Sequence, residues 1–362
     1  MFPIENIYIE NNSKESIITK NIISSSKNSK ITYIDSSKEI LSEILKLPDP
    51  ISKGKKTLLI TENKGSFLKK CPGTKRMICC NYYFLNFATN CPLDCSYCIM
   101  QEYLCNNPVL KIFSNVEDML SETESFLEAN RNKYFRIGTG ELTDSLALDN
   151  ITGFSKIIVP FFASKQNVIL ELKTKTDCIE NLMYLDHGGK TVIAWSLNPQ
   201  KIIDGEELYS ASLEQRMESA ARCQGKGYKI AFHFDPIILY EGWETDYNGI
   251  VKKIFNAIDS KSILWISLGG LRFSPQLKPI ISERFAQNNI LYGEMVLCPD
   301  NKMRYFKPMR VDAFKKMVDY IKKYDNDIPI YLCMEDQDVW KKVFGAIPNG
   351  IRNLNNIFEI NS

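Results

Sequence analysis

The sequence predicts a mixed α/β fold, a partial barrel of six β/α units with a small α/β region before it and an extension after it. Six short apolar runs recur along the chain, and segments with helical periodicity lie between them. The chain has 362 residues, of which 44% are hydrophobic and 24% charged, as is usual for a globular protein. Strands that alternate with helices imply parallel pairing with right-handed crossovers. In such a barrel, reactive groups lie at the carboxyl ends of the strands.

The first predicted region, residues 1–75, is a small accessory α/β piece. Stretches rich in Ser, Asn and Lys alternate there with strand-like runs at 7–9, 31–34 and 57–60, and a helix is predicted over 37–45. The interleaved β-branched and aromatic residues favour a folded region over a disordered one.

The second predicted region, residues 76–290, holds the barrel. Its strands are predicted at 82–85, 134–137, 168–172, 192–195, 230–234 and 263–267. Helical periodicity predicts helices over 116–130, 212–224 and 246–258, the second opening with the capping-box pattern Ser212-Leu213-Glu214-Gln215. The third region, residues 291–362, is a C-terminal extension that contains a basic and aromatic segment at 302–316.

Bulk composition limits the cellular setting of the chain. The net charge is +2, so any nucleic-acid site must be a local patch rather than a global field. Eleven cysteines without an export-type leader point to a reducing interior. The apolar runs are too short to span a bilayer. We therefore expect a soluble, cytoplasmic, monomeric protein with no membrane partner.

Three cysteines carry the strongest chemical signal. Cys91, Cys95 and Cys98 follow the spacing C-x3-C-x2-C, which supplies three thiolates to a four-iron cluster and leaves one iron open to a cofactor or substrate. Clusters used only for electron transfer normally have four thiolates. Zinc is the alternative, but it usually needs two C-x2-C pairs, and Cys105 is a distant fourth ligand. A disulfide framework is atypical of so long a chain.

The second barrel strand ends in Gly138-Thr139-Gly140-Glu141-Leu142-Thr143-Asp144. Two glycines let the backbone turn tightly and approach a ligand closely. Glu141 and Asp144 would place carboxylates at the barrel mouth. The alternative is that Asp144 caps the next helix and Glu141 is solvated.

The next three strand ends offer further polar groups. Lys173 and Lys175 share a face after the third strand and suit an anionic carboxylate or phosphate, unless they are simply solvated. Ser196 and Asn198 share a face after the fourth strand. His233 ends the fifth strand, where a lone histidine is more often a satisfied core residue than a catalyst.

A basic segment at 302–310 mixes cations with aromatic side chains, and Lys315 and Lys316 extend it. Such interleaving suits a nucleic-acid backbone with stacked or wedged bases. The alternative is a solvated turn before an amphipathic helix over 311–320. The candidate DNA contacts are Arg304, Tyr305, Lys307 and Arg310.

The cysteine spacing resembles that of the radical S-adenosylmethionine superfamily, and the rest of the chain resembles the spore photoproduct lyase family, most strongly over residues 58–331. Tyr97 before the last cysteine is part of the likeness. So are the segments SNVE (114–117), GGKT (188–191), SLN (196–198), GY (227–228), PII (236–238) and EGWE (241–244). The last two segments point to this family in particular.

This resemblance implies a barrel of the radical S-adenosylmethionine type, with a 4Fe–4S cluster on the 91–98 loop and S-adenosylmethionine as cofactor. It implies a lyase that reductively cleaves this cofactor to a 5′-deoxyadenosyl radical, abstracts hydrogen from a methylene-bridged thymine dimer in DNA and so repairs it. The cofactor carries the difficult chemistry. Lys175 matches the family's lysine near the cofactor carboxylate, and Ser196 matches its polar partner. A flavodoxin- or ferredoxin-type electron donor is implied as well.

Two positions depart from the lesion-repairing members. Aligned from Cys98 without a gap, their hydrogen-donating cysteine falls on Glu141, and their tyrosine after the third cluster cysteine falls on Ile99. A carboxylate cannot deliver a hydrogen atom as a thiol does. Glu141 instead resembles the superfamily's glutamate contact to the methionyl amine, a charge-assisted hydrogen bond. The tyrosine that would relay the radical back is missing as well, which leaves Tyr97 alone.

The predicted roles follow from these matches. Tyr97 and Glu141 are the catalytic candidates, and the cofactor-binding candidates are Glu141, Thr143, Lys175, Ser196 and Asn198. The alternative to photoproduct repair is an enzyme of the same family with a non-lesion substrate, and a third reading is a cluster-bearing binding protein without turnover. A replacement hydrogen donor would come from Cys71, Cys79, Cys80 or Cys298, although such cysteines are more often small buried hydrophobes.

Overall fold

The structure is a computed structural model that describes residues 4–347 and, for the backbone alone, residues 350–351, 354–355 and 359–360. Contacts divide the chain into two compact units. Unit 1 takes the described residues of Met1–Lys70, Tyr83–Thr191 and Glu207–Ser210, and unit 2 those of Cys71–Tyr82, Val192–Glu206 and Ala211–Ser362. This division runs through the region predicted as the barrel, so the borders at residues 75 and 290 stay a prediction.

The strands in chain order are β1 (Asn6–Glu10), β2 (Lys30–Ile34), β3 (Thr57–Thr61), β4 (Leu68–Lys70), β5 (Ile78–Cys79), β6 (Tyr83–Leu85), β7 (Ala88–Thr89), β8 (Asp94–Cys95), β9 (Leu110–Phe113), β10 (Phe135–Gly138), β11 (Val168–Thr174), β12 (Thr191–Ser196), β13 (Glu207–Leu208), β14 (Lys229–Ile237), β15 (Ile263–Gly270), β16 (Arg272–Phe273), β17 (Met295–Leu297), β18 (Met303–Tyr305), β19 (Ile330–Leu332), β20 (Gly350–Ile351), β21 (Leu354–Asn355) and β22 (Glu359–Ile360).

The α-helices are α1 (Ile17–Ser25), α2 (Lys38–Leu45), α3 (Pro50–Lys55), α4 (Met100–Tyr103), α5 (Val116–Ala129), α6 (Asp149–Thr152), α7 (Ser155–Ala163), α8 (Gln200–Glu206), α9 (Leu213–Gly225), α10 (Trp243–Ala257), α11 (Leu277–Arg284), α12 (Lys307–Lys322) and α13 (Gln337–Phe344). Short 3₁₀ helices cover Asn11–Ser13, Glu180–Tyr184, Ser260–Ser262 and Ile290–Tyr292. Within residues 4–347, no helix is both long and apolar enough to cross a membrane.

A five-stranded sheet in unit 1 has the order β2-β1-β3-β9-β7. The three strands predicted in the N-terminal region are confirmed as β1, β2 and β3, which pair in parallel. The sheet then continues with β9 and β7, which lie beyond residue 75. Strand β9 is part of this sheet, and three of its four residues are buried. The sheet that begins in the N-terminal region therefore extends past residue 75.

The second sheet carries the six strands predicted for the barrel. Its order is β11-β10-β6-β4 within unit 1 and β19-β15-β14-β12 within unit 2, and these eight strands are assigned to one sheet. The strands β19 and β4 were not predicted, because each is only three residues long. All six residues of β12 are buried, as expected for a parallel strand covered on both faces.

Local signals set the helix boundaries. The predicted capping box is confirmed, because the Ser212 side chain accepts from Gln215 N while the Gln215 side chain accepts from Ser212 N. Helix α10 begins at Trp243, three residues before the predicted start, after Gly242 turns the chain with φ 86°. Helix α12 begins at Lys307, four residues before the predicted start at 311, with Pro308 in its first turn, and so contains residues 307–310 of the basic segment.

Candidate cluster and cofactor site

The loop that carries the three cysteines is fixed by backbone contacts in unit 1. Asn90 adopts a left-handed conformation with φ 65°, and its side chain accepts from Cys91 N at 2.9 Å and donates to the Pro108 carbonyl. Further along, β8 pairs antiparallel with β13, which sets Cys95 opposite Glu207. Cys98 N then donates to the Cys95 carbonyl at 3.1 Å. The loop therefore has a defined path before any metal binds.

Lys55 on α3 holds the same loop from the other side. Its buried ammonium donates to the carbonyls of Cys91 and Leu93 at 2.8 and 2.7 Å and lies 3.7 Å from Asp94 Oδ1. The preceding Gly54 allows this approach, since a Cβ there would lie 2.3 Å from the Pro108 carbonyl oxygen. No motif marks Lys55, which lies 36 residues before Cys91 in a lysine-rich stretch.

The three thiols are free, with Cys95 buried and Cys91 and Cys98 partly buried. Burial is the main cause that raises the pKa of Cys91 to about 12 and that of Cys95 well above its usual value. The neighbouring cysteines also contribute to both shifts, which places the three thiols within electrostatic reach of one another. Such thiols keep their protons until a metal replaces them.

This donor set fits an iron–sulfur cluster in its chemistry, because three free thiols share one fixed loop. In the described part of the chain, no group of three or more His, Cys, Asp or Glu side chains has the spacing for a single metal ion. That result concerns one ion. A four-iron cluster is wider than one ion, so its ligands stand farther apart.

Lys175 lies at the end of β11, as predicted, but its partners were not foreseen. Its Nζ donates to Glu207 Oε1 at 2.9 Å and to Tyr97 Oη at 3.2 Å. The Tyr97 hydroxyl donates to the same Glu207 oxygen. The Glu207 side chain is fully buried and that of Lys175 is 15% exposed, so this is a desolvated ion pair next to the cysteine loop. Sequence reasoning missed Glu207 because it lies on a two-residue strand outside any recognised motif.

Asp144 connects the end of β10 to the start of the Lys175 turn. Its Oδ1 accepts from Leu146 N and Ala147 N, both at 2.9 Å, in the turn before α6. The N-cap of α6 is Leu148, so the prediction that Asp144 caps the next helix is wrong. The carboxylate also accepts from the Thr174 hydroxyl at 2.8 Å and from Lys175 N at 2.7 Å. Burial raises the pKa of Asp144 against these hydrogen bonds. Asp144 thus positions Lys175 through the backbone.

Glu141 lies on the glycine-rich turn and is partly buried. Gly140 before it lies close to β11, since a Cβ there would be 3.0 Å from Lys173 Cβ. Within residues 4–347, the Glu141 carboxylate has no hydrogen bond or ion pair, in contrast to Asp144. Thr143 is buried, and its hydroxyl makes only a long contact of 3.5 Å with the Asp144 carbonyl. The Glu141 carboxylate can therefore accept a ligand's donor without breaking an existing bond.

The remaining cofactor candidates belong to unit 2 and are described within it. Ser196 is the last residue of β12, and its carbonyl accepts from Arg216 Nη1 at 2.8 Å. Asn198 is buried, and its Oδ1 accepts from the Tyr247 hydroxyl at 2.7 Å, whose oxygen in turn accepts from Ile238 N at 2.9 Å. His233 is buried in β14, where its carbonyl accepts from the Leu197 amide. This placement agrees with the core alternative for His233.

The expectation of a solvent-facing basic stripe is wrong for Arg304, Tyr305 and Arg310. Arg304 is 1% exposed and pairs with Asp300 at 2.6 Å, and the Tyr305 hydroxyl accepts from Leu239 N at 3.0 Å. Arg310 Nε lies 2.9 Å from Glu335 Oε1. Strand β18 and helix α12 turn these side chains inward.

Lys307 differs from these three because its side chain is 39% exposed. Its Nζ lies 3.0 Å from Asp336 Oδ2 and 3.2 Å from Asp338 Oδ2, so its charge is balanced locally. On the same helix, Lys316 pairs with Asp312 and Glu244. Three of these carboxylates lie far along the chain from the lysines they pair with, namely Asp336, Asp338 and Glu244. The sequence of the segment at 302–316 therefore does not show that its lysines are neutralised.

The cysteines considered as replacement donors all belong to unit 2. Cys79 is buried, while Cys71, Cys80 and Cys298 are partly buried. Their suggested role as hydrogen donors stays a prediction.

Fold and site together define a mixed α/β protein with a three-thiol loop in unit 1. A family model for spore photoproduct lyase matches residues 2–305. Because this match covers most of the chain, the chain belongs to the spore photoproduct lyase family.

Curated relatives agree with this assignment. The chain is 26% identical over 214 residues to the spore photoproduct lyase of Bacillus subtilis (strain 168), which covers 59% of this chain and 63% of that protein. It is 27% identical over 259 residues to the spore photoproduct lyase of Clostridium acetobutylicum, covering 70% of this chain and 71% of that protein. The matched part thus spans less than two thirds of the length of the Bacillus relative.

Solved structures of the family share the fold. A cysteine-to-alanine mutant of spore photoproduct lyase with dinucleoside spore photoproduct superposes with a TM-score of 0.81 at 20% identity, covering 91% of this chain and 99% of that one. A double mutant with bound S-adenosylmethionine and dinucleoside spore photoproduct gives a TM-score of 0.77 at 19% identity, with the same coverage of both chains. The predicted mixed α/β partial barrel is confirmed, with a curled half-barrel sheet of eight strands.

Proposed function

We propose that this protein is a radical S-adenosylmethionine lyase that repairs a thymine photoproduct in DNA. The observation that carries the proposal is the family match over residues 2–305, together with three free thiols on one fixed loop. When bound, the 4Fe–4S cluster and S-adenosylmethionine supply a 5′-deoxyadenosyl radical that abstracts hydrogen from the substrate.

The chain's own residues bind and orient these groups. Cys91, Cys95 and Cys98 would hold three irons and leave the fourth open. Lys175 offers an ammonium to the cofactor carboxylate, and the partly buried Glu141 offers an unpaired carboxylate to its ammonium. The three remaining cofactor candidates are Thr143, Ser196 and Asn198.

Tyr97 and Glu207 hold the Lys175 side chain in place. The Glu207 carboxylate pairs with this lysine in a site with little solvent. The Tyr97 hydroxyl donates a hydrogen bond to the same carboxylate. Its oxygen therefore accepts the hydrogen bond from the Lys175 ammonium. We propose Tyr97 as a catalytic residue that stands within this network.

A second candidate function is a reaction of the same family on a non-lesion substrate. It is favoured by Glu141, which stands at the position inferred for the hydrogen-donating cysteine, and by Ile99 after the third cluster cysteine. In either case we propose a flavodoxin- or ferredoxin-type electron donor and a cytoplasmic location.

Anaerobic reconstitution followed by reduction with dithionite separates these functions. With S-adenosylmethionine and dinucleoside spore photoproduct, the lyase produces 5′-deoxyadenosine and the repaired thymidine dinucleotide. Formation of 5′-deoxyadenosine without repair would reject the lesion substrate and favour the second function. If the cofactor is not cleaved at all, the result favours the third alternative, a cluster-bearing binding protein without turnover.

A variant pair tests Glu141 in the same assay. Glu141→Gln removes the carboxylate charge but keeps an acceptor oxygen. It should weaken binding of S-adenosylmethionine about tenfold, since a charge-assisted hydrogen bond is about twice as strong as a neutral one. Equilibrium dialysis with the reconstituted protein measures this loss without turnover. The control is Glu128→Gln, whose side chain is 61% exposed. Equal affinity in both variants would remove Glu141 from the cofactor site.

A further inference from the structure

Unit 2 contains a cavity of about 650 Å³ that none of the predicted site residues lines. Its apolar walls come from α8, the segment after β14 and the 3₁₀ helix at Ile290–Tyr292, through Ile202, Ile238, Leu239 and Ile290. Ile202, Ile238 and Ile290 are buried, and Leu239 is partly buried. A cavity of this size, mostly apolar with a few polar groups, is typical of a small-ligand site.

Two buried polar side chains belong to the cavity lining. Glu206 is 6% exposed and Asn288 is 7% exposed. Asn288 Nδ2 donates to Glu206 Oε2, and Asn288 Oδ1 accepts from Ile290 N at 3.1 Å. These bonds fix the Glu206 carboxylate in place. A carboxylate accepts several hydrogen bonds at once, so Glu206 can also accept from an N–H group on a ligand.

Aromatic rings lie on the more exposed part of the lining. The Tyr240 ring carries Lys201 Nζ 3.7 Å from its centroid, and its hydroxyl donates to Asp246 at 2.8 Å, so the ring is held in place. Tyr292 is 72% exposed although it lines the cavity. Lys278 is exposed too, with its ammonium 5.9 Å from the Tyr292 ring centroid.

We propose that this cavity receives one nucleobase of the DNA strand on which the enzyme acts. The inference rests on the proposed function and assigns it a base-binding subsite. A base is planar and stacks on aromatic side chains, which Tyr240 and Tyr292 provide. Its edge carries N–H donors that a buried carboxylate accepts, as enzymes that read unstacked bases do. Lys278 beside Tyr292 can contact the attached phosphate.

The polar groups of the lining support a base over a lipid or a free phosphate. A lipid tail offers no donor to the Glu206 carboxylate, whereas the edge of a base does. A phosphate alone would be repelled by that carboxylate. The adenine of S-adenosylmethionine has the same chemistry as a DNA base, so the test must separate the two sources.

Binding of a fluorescent oligothymidylate to the reconstituted holoprotein tests the assignment. Tyr292→Ala should weaken binding about 5- to 150-fold, the usual loss for one stacked base. Tyr184→Ala is the matched control, because Tyr184 is 89% exposed and belongs to unit 1. Glu206→Gln should also weaken binding, since the amide replaces an acceptor oxygen with a donor. Affinity for S-adenosylhomocysteine should stay unchanged in Tyr292→Ala.

Two results would overturn the inference. One is an affinity for oligothymidylate in Tyr292→Ala equal to that of wild type and Tyr184→Ala. The other is a loss of S-adenosylhomocysteine binding in Tyr292→Ala, which would assign the cavity to the cofactor's adenine. These measurements need no turnover. A protein that fails to repair the photoproduct but loses oligothymidylate binding in Tyr292→Ala would refute the proposed function and keep the cavity assignment.

Discussion

The Lys175 ammonium lies 2.9 Å from the Glu207 carboxylate, and the two residues come from the end of β11 and from the strand that pairs with the cysteine loop. Lys175 is the predicted cofactor lysine, and Glu207 lies opposite Cys95 of the predicted metal loop. The ion pair therefore links the two, although Glu207 belongs to no recognised motif. Because Glu207 is fully buried and Lys175 nearly so, each charge depends on the other.

The first prediction concerns the stability of this pair. Glu207→Gln leaves the Lys175 ammonium without its counter-charge, and Lys175→Met does the same to the Glu207 carboxylate. Each single variant should lower the free energy of unfolding by about 3–5 kcal/mol, and the double variant should lose less than the sum. Urea denaturation of the apoprotein measures all three.

An exposed ion pair is the control for this cycle. Lys253 and Glu214 lie 3.1 Å apart with side chains 54% and 66% exposed. Lys253→Met and Glu214→Gln should each change the free energy of unfolding by less than about 1 kcal/mol. Losses of equal size at the two pairs would show that Lys175 and Glu207 are not coupled by burial.

The second prediction tests the revised role of the basic segment. Arg304→Ala leaves the buried Asp300 carboxylate without its arginine partner and removes one of the two arginines that face Glu335. It should lower the free energy of unfolding by about 3–5 kcal/mol. Lys307→Ala, at a half-exposed position of the same segment, should cost less than about 1 kcal/mol. An Arg304→Ala variant with the same urea midpoint of unfolding as the wild type but weaker DNA binding would contradict this prediction. It would support the sequence-based prediction that Arg304 contacts DNA.

The third prediction concerns Cys178, after β11. Burial is the main cause that raises its pKa to about 11. Only the thiolate reacts with iodoacetamide, so at pH 8 about one Cys178 thiol in a thousand is reactive. Raising the pH to 10 increases that fraction about a hundredfold. Mass spectrometry should therefore show slow labelling of Cys178 at pH 8 beside fast labelling of the exposed Cys105. Equal rates at pH 8 would contradict the buried environment of Cys178.

The regular part of the fold follows from the sequence because its signals are local. The strands β10, β11 and β12 read as short apolar runs, and Ser212 marks the start of α9 by its own side-chain hydrogen bond. Short elements such as β19 carry too few residues for a periodic signal. Their positions depend on partners far along the chain.

The site shows the same division between local and long-range information. The cluster site is recognisable from the sequence because the spacing of Cys91, Cys95 and Cys98 alone indicates it. Glu207 lies 32 residues from Lys175, and only the folded chain brings their side chains together. The error at Arg304 has the same cause, because its contact with the Met334 carbonyl lies 30 residues away.

The most direct measurement of the central claim is electron paramagnetic resonance of the anaerobically reconstituted, dithionite-reduced protein with and without S-adenosylmethionine. If three thiolates leave one iron open, the four-iron signal should change when the cofactor is added. Cys98→Ala should lose the cluster, and Cys105→Ala, at an exposed cysteine outside the triad, should keep both the signal and its change. A four-iron signal that is identical with and without S-adenosylmethionine would contradict the open-iron site.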